Sequence, residues 1–94
     1  MRAKYIWTQN ESMKTTSKTI FDPRYKALVA ELVIIRQKRN LSQRDLAALL
    51  KTSRNFVGRT EIRDRRLDII ETIDLLKALG LPKAEILKLI EKLV

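Results

Sequence analysis

Arg54, Asn55 and Arg59 fall within six residues of one another, and each ends in a planar group that donates hydrogen bonds. An arginine can donate two bonds to O6 and N7 of guanine, and an asparagine can pair with N6 and N7 of adenine. Such groups can read base edges in a duplex. Their surroundings suit an anionic partner. Residues 36–66 hold ten Lys/Arg against three acids, a net +7, whereas residues 67–94 hold four bases and five acids. The 94-residue chain as a whole is +9, so the excess is clustered where the planar donors lie. A clustered basic patch is the footprint of a nucleic-acid surface.

Composition excludes several other chemistries. The chain has no Cys and no His, which removes disulfides, thiolate or imidazole metal sites, and imidazole catalysis. There is no Gly-rich phosphate loop and no acid pair in an expected pocket. No catalytic residue, metal or cofactor is therefore expected, and the chain does not read as an enzyme. No apolar run approaches the roughly 18 residues that span a bilayer. The N-terminus lacks a cleavage-site pattern, so no membrane partner and a cytoplasmic location are expected.

The elements that would carry Arg54, Asn55 and Arg59 are helical. Only two Gly and two Pro occur, too few for the turns of an all-β fold. Asp22-Pro23 opens a first helix that runs to about Arg39, with Tyr25, Leu28, Val29, Leu32 and Ile35 on one stripe. Asn40 suits a left-handed stop. Ser42-Gln43-Arg44-Asp45 is a capping box for a second helix whose buried face is read as Leu46, Ala47, Leu49 and Leu50. After the turn at Lys51-Thr52, Ser53 caps a third helix from Arg54 to about Thr60. Val57 is its clear core residue, with Phe56 partly buried. The rest of that helix is too polar for packing alone, which implies a ligand on its outer face.

A basic loop, 62–66, leads to a fourth helix from about Leu67 to Leu79, with Leu67, Ile70, Ile73, Leu76 and Leu79 expected on one face. Gly80 ends it. Leu81-Pro82 begins a fifth helix reaching about Val94. Its apolar side (Ala84, Leu87, Ile90, Leu93 and Val94, with Ile86 and Leu89 beside them) exceeds what one small core needs. Residues 1–22 are polar apart from Tyr5, Ile6 and Trp7, and are read as a flexible arm before a domain at 23–94.

Arg36, Leu41-Ser42-Gln43, Leu46-Ala47, Val57, Glu61 and Ala78-Leu79-Gly80 fall at one characteristic spacing. With them the chain resembles the phage-repressor/Cro-like, or xenobiotic-response-element-like, helix-turn-helix family over about residues 25–93. The run Arg65–Glu71 further resembles small bacterial and prophage regulators. The resemblance implies an all-α, compact five-helix bundle of the lambda-repressor-like type. It implies an ion pair between Arg36 and Glu61, and a phosphate contact for Gln43. This chain departs from the family at Lys51 and Arg63, which stand at or near usual turn glycines, and at Thr60, where a bulky apolar residue is preferred. With Gly58 inside the third helix as well, a short, frayed helix is expected.

In the docking that the resemblance implies, Arg54, Asn55 and Arg59 meet base edges in the major groove. Gln43, Arg44, Lys51, Ser53, Arg63, Arg65 and Arg66 would hold phosphates, which supply register and salt dependence. Such proteins commonly bind as twofold dimers, and Leu87, Ile90, Leu93 and Val94 are the expected interface. The expected function is sequence-specific binding of double-stranded DNA as a homodimeric transcriptional regulator, of repressor type. The alternative is an antitoxin-like protein that binds DNA and also masks a protein partner.

Overall fold

The computed structural model describes residues 20–94. Among the described residues five α-helices follow in chain order: α1 (Pro23–Lys38), α2 (Gln43–Leu50), α3 (Arg54–Glu61), α4 (Ile69–Ala78) and α5 (Lys83–Leu93). Of the arm expected over 1–22, residues 1–19, with Tyr5–Trp7, lie outside the described residues. Ile20 packs against the core, and the Asp22 carboxylate caps α1 by accepting from the Arg24 N–H at 2.8 Å. Ile20 and Asp22 are therefore tied to the helical unit ahead of Pro23.

Each helix start has a local cause. The α2 cap is a full capping box: Asp45 N–H donates to Ser42 Oγ at 3.0 Å, and Ser42 N–H donates to Asp45 Oδ2 at 2.9 Å. A second box opens α4, with Glu71 N–H donating to Asp68 Oδ1 at 2.7 Å and Asp68 N–H to Glu71 Oε1 at 3.0 Å. Because Asp68 is the cap, α4 starts at Ile69, not at the expected Leu67. Likewise, Pro82 holds the position before α5, which starts at Lys83.

The stops of α1 to α4 share one device. Left-handed residues stand at Asn40 (φ 57°), Lys51 (57°), Arg63 (59°) and Gly80 (85°). At each, paired backbone bonds close the last turn, as in Lys51 N–H to Ala48 O (3.1 Å) and Thr52 N–H to Ala47 O (2.9 Å). This is the Schellman arrangement. At Gly80 it is the positive φ that favours glycine; a Cβ there would lie 2.7 Å from Arg39 Nη1, the movable end of an exposed side chain.

The core gathers Tyr25, Leu28, Val29 and Leu32 of α1, Leu46 and Ala47 of α2, Val57 of α3, Leu67, Leu75, Leu76, Leu79, and Leu89 of α5. Burial of these side chains is the main force holding the helices together. Two residues expected inside are outside. Leu49 is 55% exposed because the short α2 turns its inner face between Leu46, Ala47 and Leu50. Ile70 is 62% exposed because the buried stripe of α4 runs through Thr72, Leu75 and Leu76, nearly opposite it. Ile73 is half-buried.

Candidate nucleic-acid interface

Two buried residues fix α3 from beneath. Val57 and Thr60 are 1% and 2% exposed. Thr60 does the work of the bulky apolar residue that the family prefers, because its hydroxyl donates to Phe56 O at 2.8 Å and so enters the core satisfied. The helix is capped by Ser53 Oγ, which accepts from Phe56 N–H at 3.2 Å, and it continues regularly to Glu61. At eight residues it is short, as expected. This anchoring leaves Arg54, Asn55 and Arg59 exposed on the outer side.

Around the outer face the basic groups divide by how they are held. Arg44, Lys51 and Arg66 are exposed, as is the Ser53 cap; Arg63 is half-buried. Arg54 and Arg44 line a shallow notch of about 460 Å³ with Arg36, Ser42 and Gln43, where α2 and α3 begin. Arg59 Nε lies 3.1 Å from Asp64 Oδ2, with both side chains more than half exposed. Such a pair is worth little and can be exchanged for a base or phosphate.

Gln43 and Arg65 each bond to a carboxylate of the protein. Gln43 Nε2 donates to Glu61 Oε1 at 2.9 Å, which engages one of its two amide hydrogens within the protein. Glu61 in turn meets Arg36, Nε to Oε2 at 2.6 Å and Nη2 to Oε1 at 3.0 Å, with both side chains 11% exposed. Arg36 Nη1 also donates to Leu41 O at 2.7 Å. The network joins α1, the start of α2 and the end of α3.

Arg65 makes a two-pronged contact with Glu71, Nη1 to Oε1 at 3.0 Å and Nη2 to Oε2 at 2.8 Å. Its guanidinium also sits 4.4 Å from the centroid of the Phe56 ring. The Arg65 guanidinium holds the Glu71 carboxyl below its usual range, helped by the Asp68 N–H. Arg65 therefore takes part in holding the loop to α4, with its side chain one-third exposed.

Sequence reasoning did not find Glu71, Asp64 or the Tyr25 hydroxyl as partners of this face. The Asp68-Ile69-Ile70-Glu71 spacing does spell a capping box, so half of the role of Glu71 was readable. Its bond to Arg65 depends on how the loop folds. Among the described residues no group of His, Cys, Asp or Glu could hold a metal, and no helix is long and apolar enough to cross a membrane.

No curated protein matches the chain significantly. A helix-turn-helix family model matches residues 32–92, which take in the second half of α1 from Leu32, the whole of α2 to α4, and α5 up to Lys92. With a capped helix pair, an anchored third helix and a basic outer face in that span, the chain belongs to the Cro/C1-type helix-turn-helix family and is a DNA-binding regulator of transcription.

Proposed function

We propose that this protein is a sequence-specific repressor that reads the major groove with α3, acting in the cytoplasm. Residues 23–94, with the short lead-in from Ile20, form the binding unit. The observation that carries the proposal is the outward set Arg54, Asn55 and Arg59 on a helix anchored by Val57 and Thr60. Arg54 and Arg59 supply donors for guanine, and Asn55 supplies the donor–acceptor pair that adenine requires. Arg44, Lys51, Ser53, Arg63 and Arg66 take phosphates on either side. The Asp64 contact of Arg59 is surrendered on docking.

A single head of this size buries little DNA, so specificity calls for a twofold dimer on a palindrome. Leu87 and Val94, at 57% and 103% exposure, support α5 as the contact, with Ile90 and Leu93 half-buried beside them. The same surface favours the second reading, an antitoxin-like protein that masks a partner.

Selection of sites from random duplex DNA at physiological salt tests the proposal. A palindrome with half-sites about one helical turn apart is the expected result. Salt-sensitive retention without a motif overturns sequence-specific reading. Two chains per selected site, with Leu87→Glu reducing that to one, is the result expected of the α5 interface. A stable one-to-one complex with a second protein in place of the dimer would favour the masking role.

A further inference from the structure

Arg65 is the point where three helices meet. Its guanidinium lies against Phe56, the third residue of α3 and next in sequence to Asn55. The same group grips Glu71 in the first turn of α4 through both carboxylate oxygens. Its backbone carbonyl accepts from the Tyr25 hydroxyl of α1 at 2.9 Å, and that hydroxyl accepts from Leu67 N–H at 3.0 Å. Glu71 is fixed in turn by the Asp68 N–H. A planar fork that stacks on a ring and closes on a carboxylate holds both in one orientation, which a lysine ammonium cannot do.

From this geometry we infer that Arg65 is a positioning residue for base reading: it clamps Phe56 to Glu71 and so sets the angle at which α3 presents Arg54, Asn55 and Arg59. The inference rests on the reading of α3 as the helix that enters the groove. It assigns specificity to a residue that touches no base, and it removes Arg65 from the phosphate contacts. Val57 and Thr60 attach α3 along its inner side and the Arg36–Glu61 pair holds its end; the clamp restrains rotation about that attachment at its first turn.

The test has two parts, both with the full chain. The first is hydrogen exchange of the free protein, comparing α3 amides from Val57 to Glu61 with α1 amides as an internal reference. Arg65→Ala and Glu71→Gln are expected to speed exchange in α3 while α1 keeps its protection. Glutamine preserves an acceptor for the Asp68 N–H, so Glu71→Gln tests the clamp without removing the α4 cap. The second part is binding to a duplex selected from a random pool and to a scrambled duplex of equal length, over a salt series.

The expected result is that Arg65→Ala and Glu71→Gln each lower the selected-to-scrambled affinity ratio about tenfold, a typical worth for a charged hydrogen-bonded pair. Arg65→Lys fails to restore the ratio, and the double variant is no worse than either single one. The salt slope on scrambled DNA stays as in the parent. Opposite results overturn the inference. If Arg65 serves a phosphate, Arg65→Ala lowers the slope by about one unit on both duplexes, Arg65→Lys rescues, and Glu71→Gln tightens binding by freeing the guanidinium. Should the parent itself show no preference between duplexes, base reading by α3 fails. The exchange result still decides the clamp: unchanged α3 protection in both variants sinks it.

Discussion

Arg36 and Glu61 meet across 25 positions of sequence, with Nε 2.6 Å from Oε2 and Nη2 3.0 Å from Oε1. Little solvent reaches either group, so each depends on the other to offset its desolvation. Glu61→Ala leaves the guanidinium with only the Leu41 carbonyl and also strips Gln43 of its acceptor. Its expected cost is about 3 kcal/mol, measured by urea unfolding at constant m-value. The double variant Arg36→Met/Glu61→Leu is expected to cost less than Glu61→Ala alone, because no charge remains buried. A double variant as damaging as the sum of its parts would show that the two residues act independently.

Gly58 lies inside α3, where the helix would favour alanine. A Cβ at this position would meet Gln43 Oε1 at 3.5 Å, an ordinary contact, and no closer atom. Gly58→Ala is expected to raise stability by about 0.5–1 kcal/mol through helix propensity alone. Thermal unfolding checks it. A loss of stability would mean that Gln43 cannot shift without disturbing its bond to Glu61.

Much of this architecture was legible because local rules and the tertiary fold agree. Ser42 with Asp45 spelled the α2 cap, and Asp22-Pro23 spelled the α1 start. Asn40, Gly80 and the departures at Lys51 and Arg63 marked the helix stops. The misplaced residues were those whose side is decided by neighbours. Leu49 and Ile70 are apolar and at helical spacing, but a helix of eight or ten residues has room for only one inner stripe, and its centre depends on which helices lie beneath. Type and position alone also do not reveal what holds Gln43 and Arg65. Their inward partners, Glu61 and Glu71, are set by the packing of separate helices and of the loop between α3 and α4, which periodicity does not encode.

Acid weakens the helix starts in a defined window. The Arg24 side chain and N–H hold Asp22 down from 3.8 to about 2. The Ser42 N–H and hydroxyl lower Asp45, and Arg65 with the Asp68 N–H lowers Glu71 from its usual 4.5. Folded values below unfolded ones mean that these carboxylates contribute stability above the unfolded values, and that it is lost as pH falls through the folded ones. Helicity by circular dichroism, with urea titrations at each pH, is therefore expected to hold above about pH 4.5 and to weaken progressively toward about pH 2. Asp45→Asn is expected to make the decline shallower. A stability that rises on acidification would contradict the assigned hydrogen bonds.

Lys51 and Arg63 bracket α3 in left-handed conformations, at φ 57° and 59°. An L-residue pays roughly 1–2 kcal/mol there, and glycine avoids this at some loss of unfolded-state entropy. Lys51→Gly and Arg63→Gly are each expected to stabilise the fold by about 0.5–1 kcal/mol. If both side chains hold phosphates, the same changes weaken DNA binding and reduce the salt slope by about one unit apiece. Stability and affinity then move in opposite directions, a trade common where strain is kept for function. Thermal melts paired with a salt series on one duplex measure both quantities. Higher stability with unchanged affinity and slope would remove these residues from the DNA contact, and would leave the strain at both ends of α3 without a functional reason.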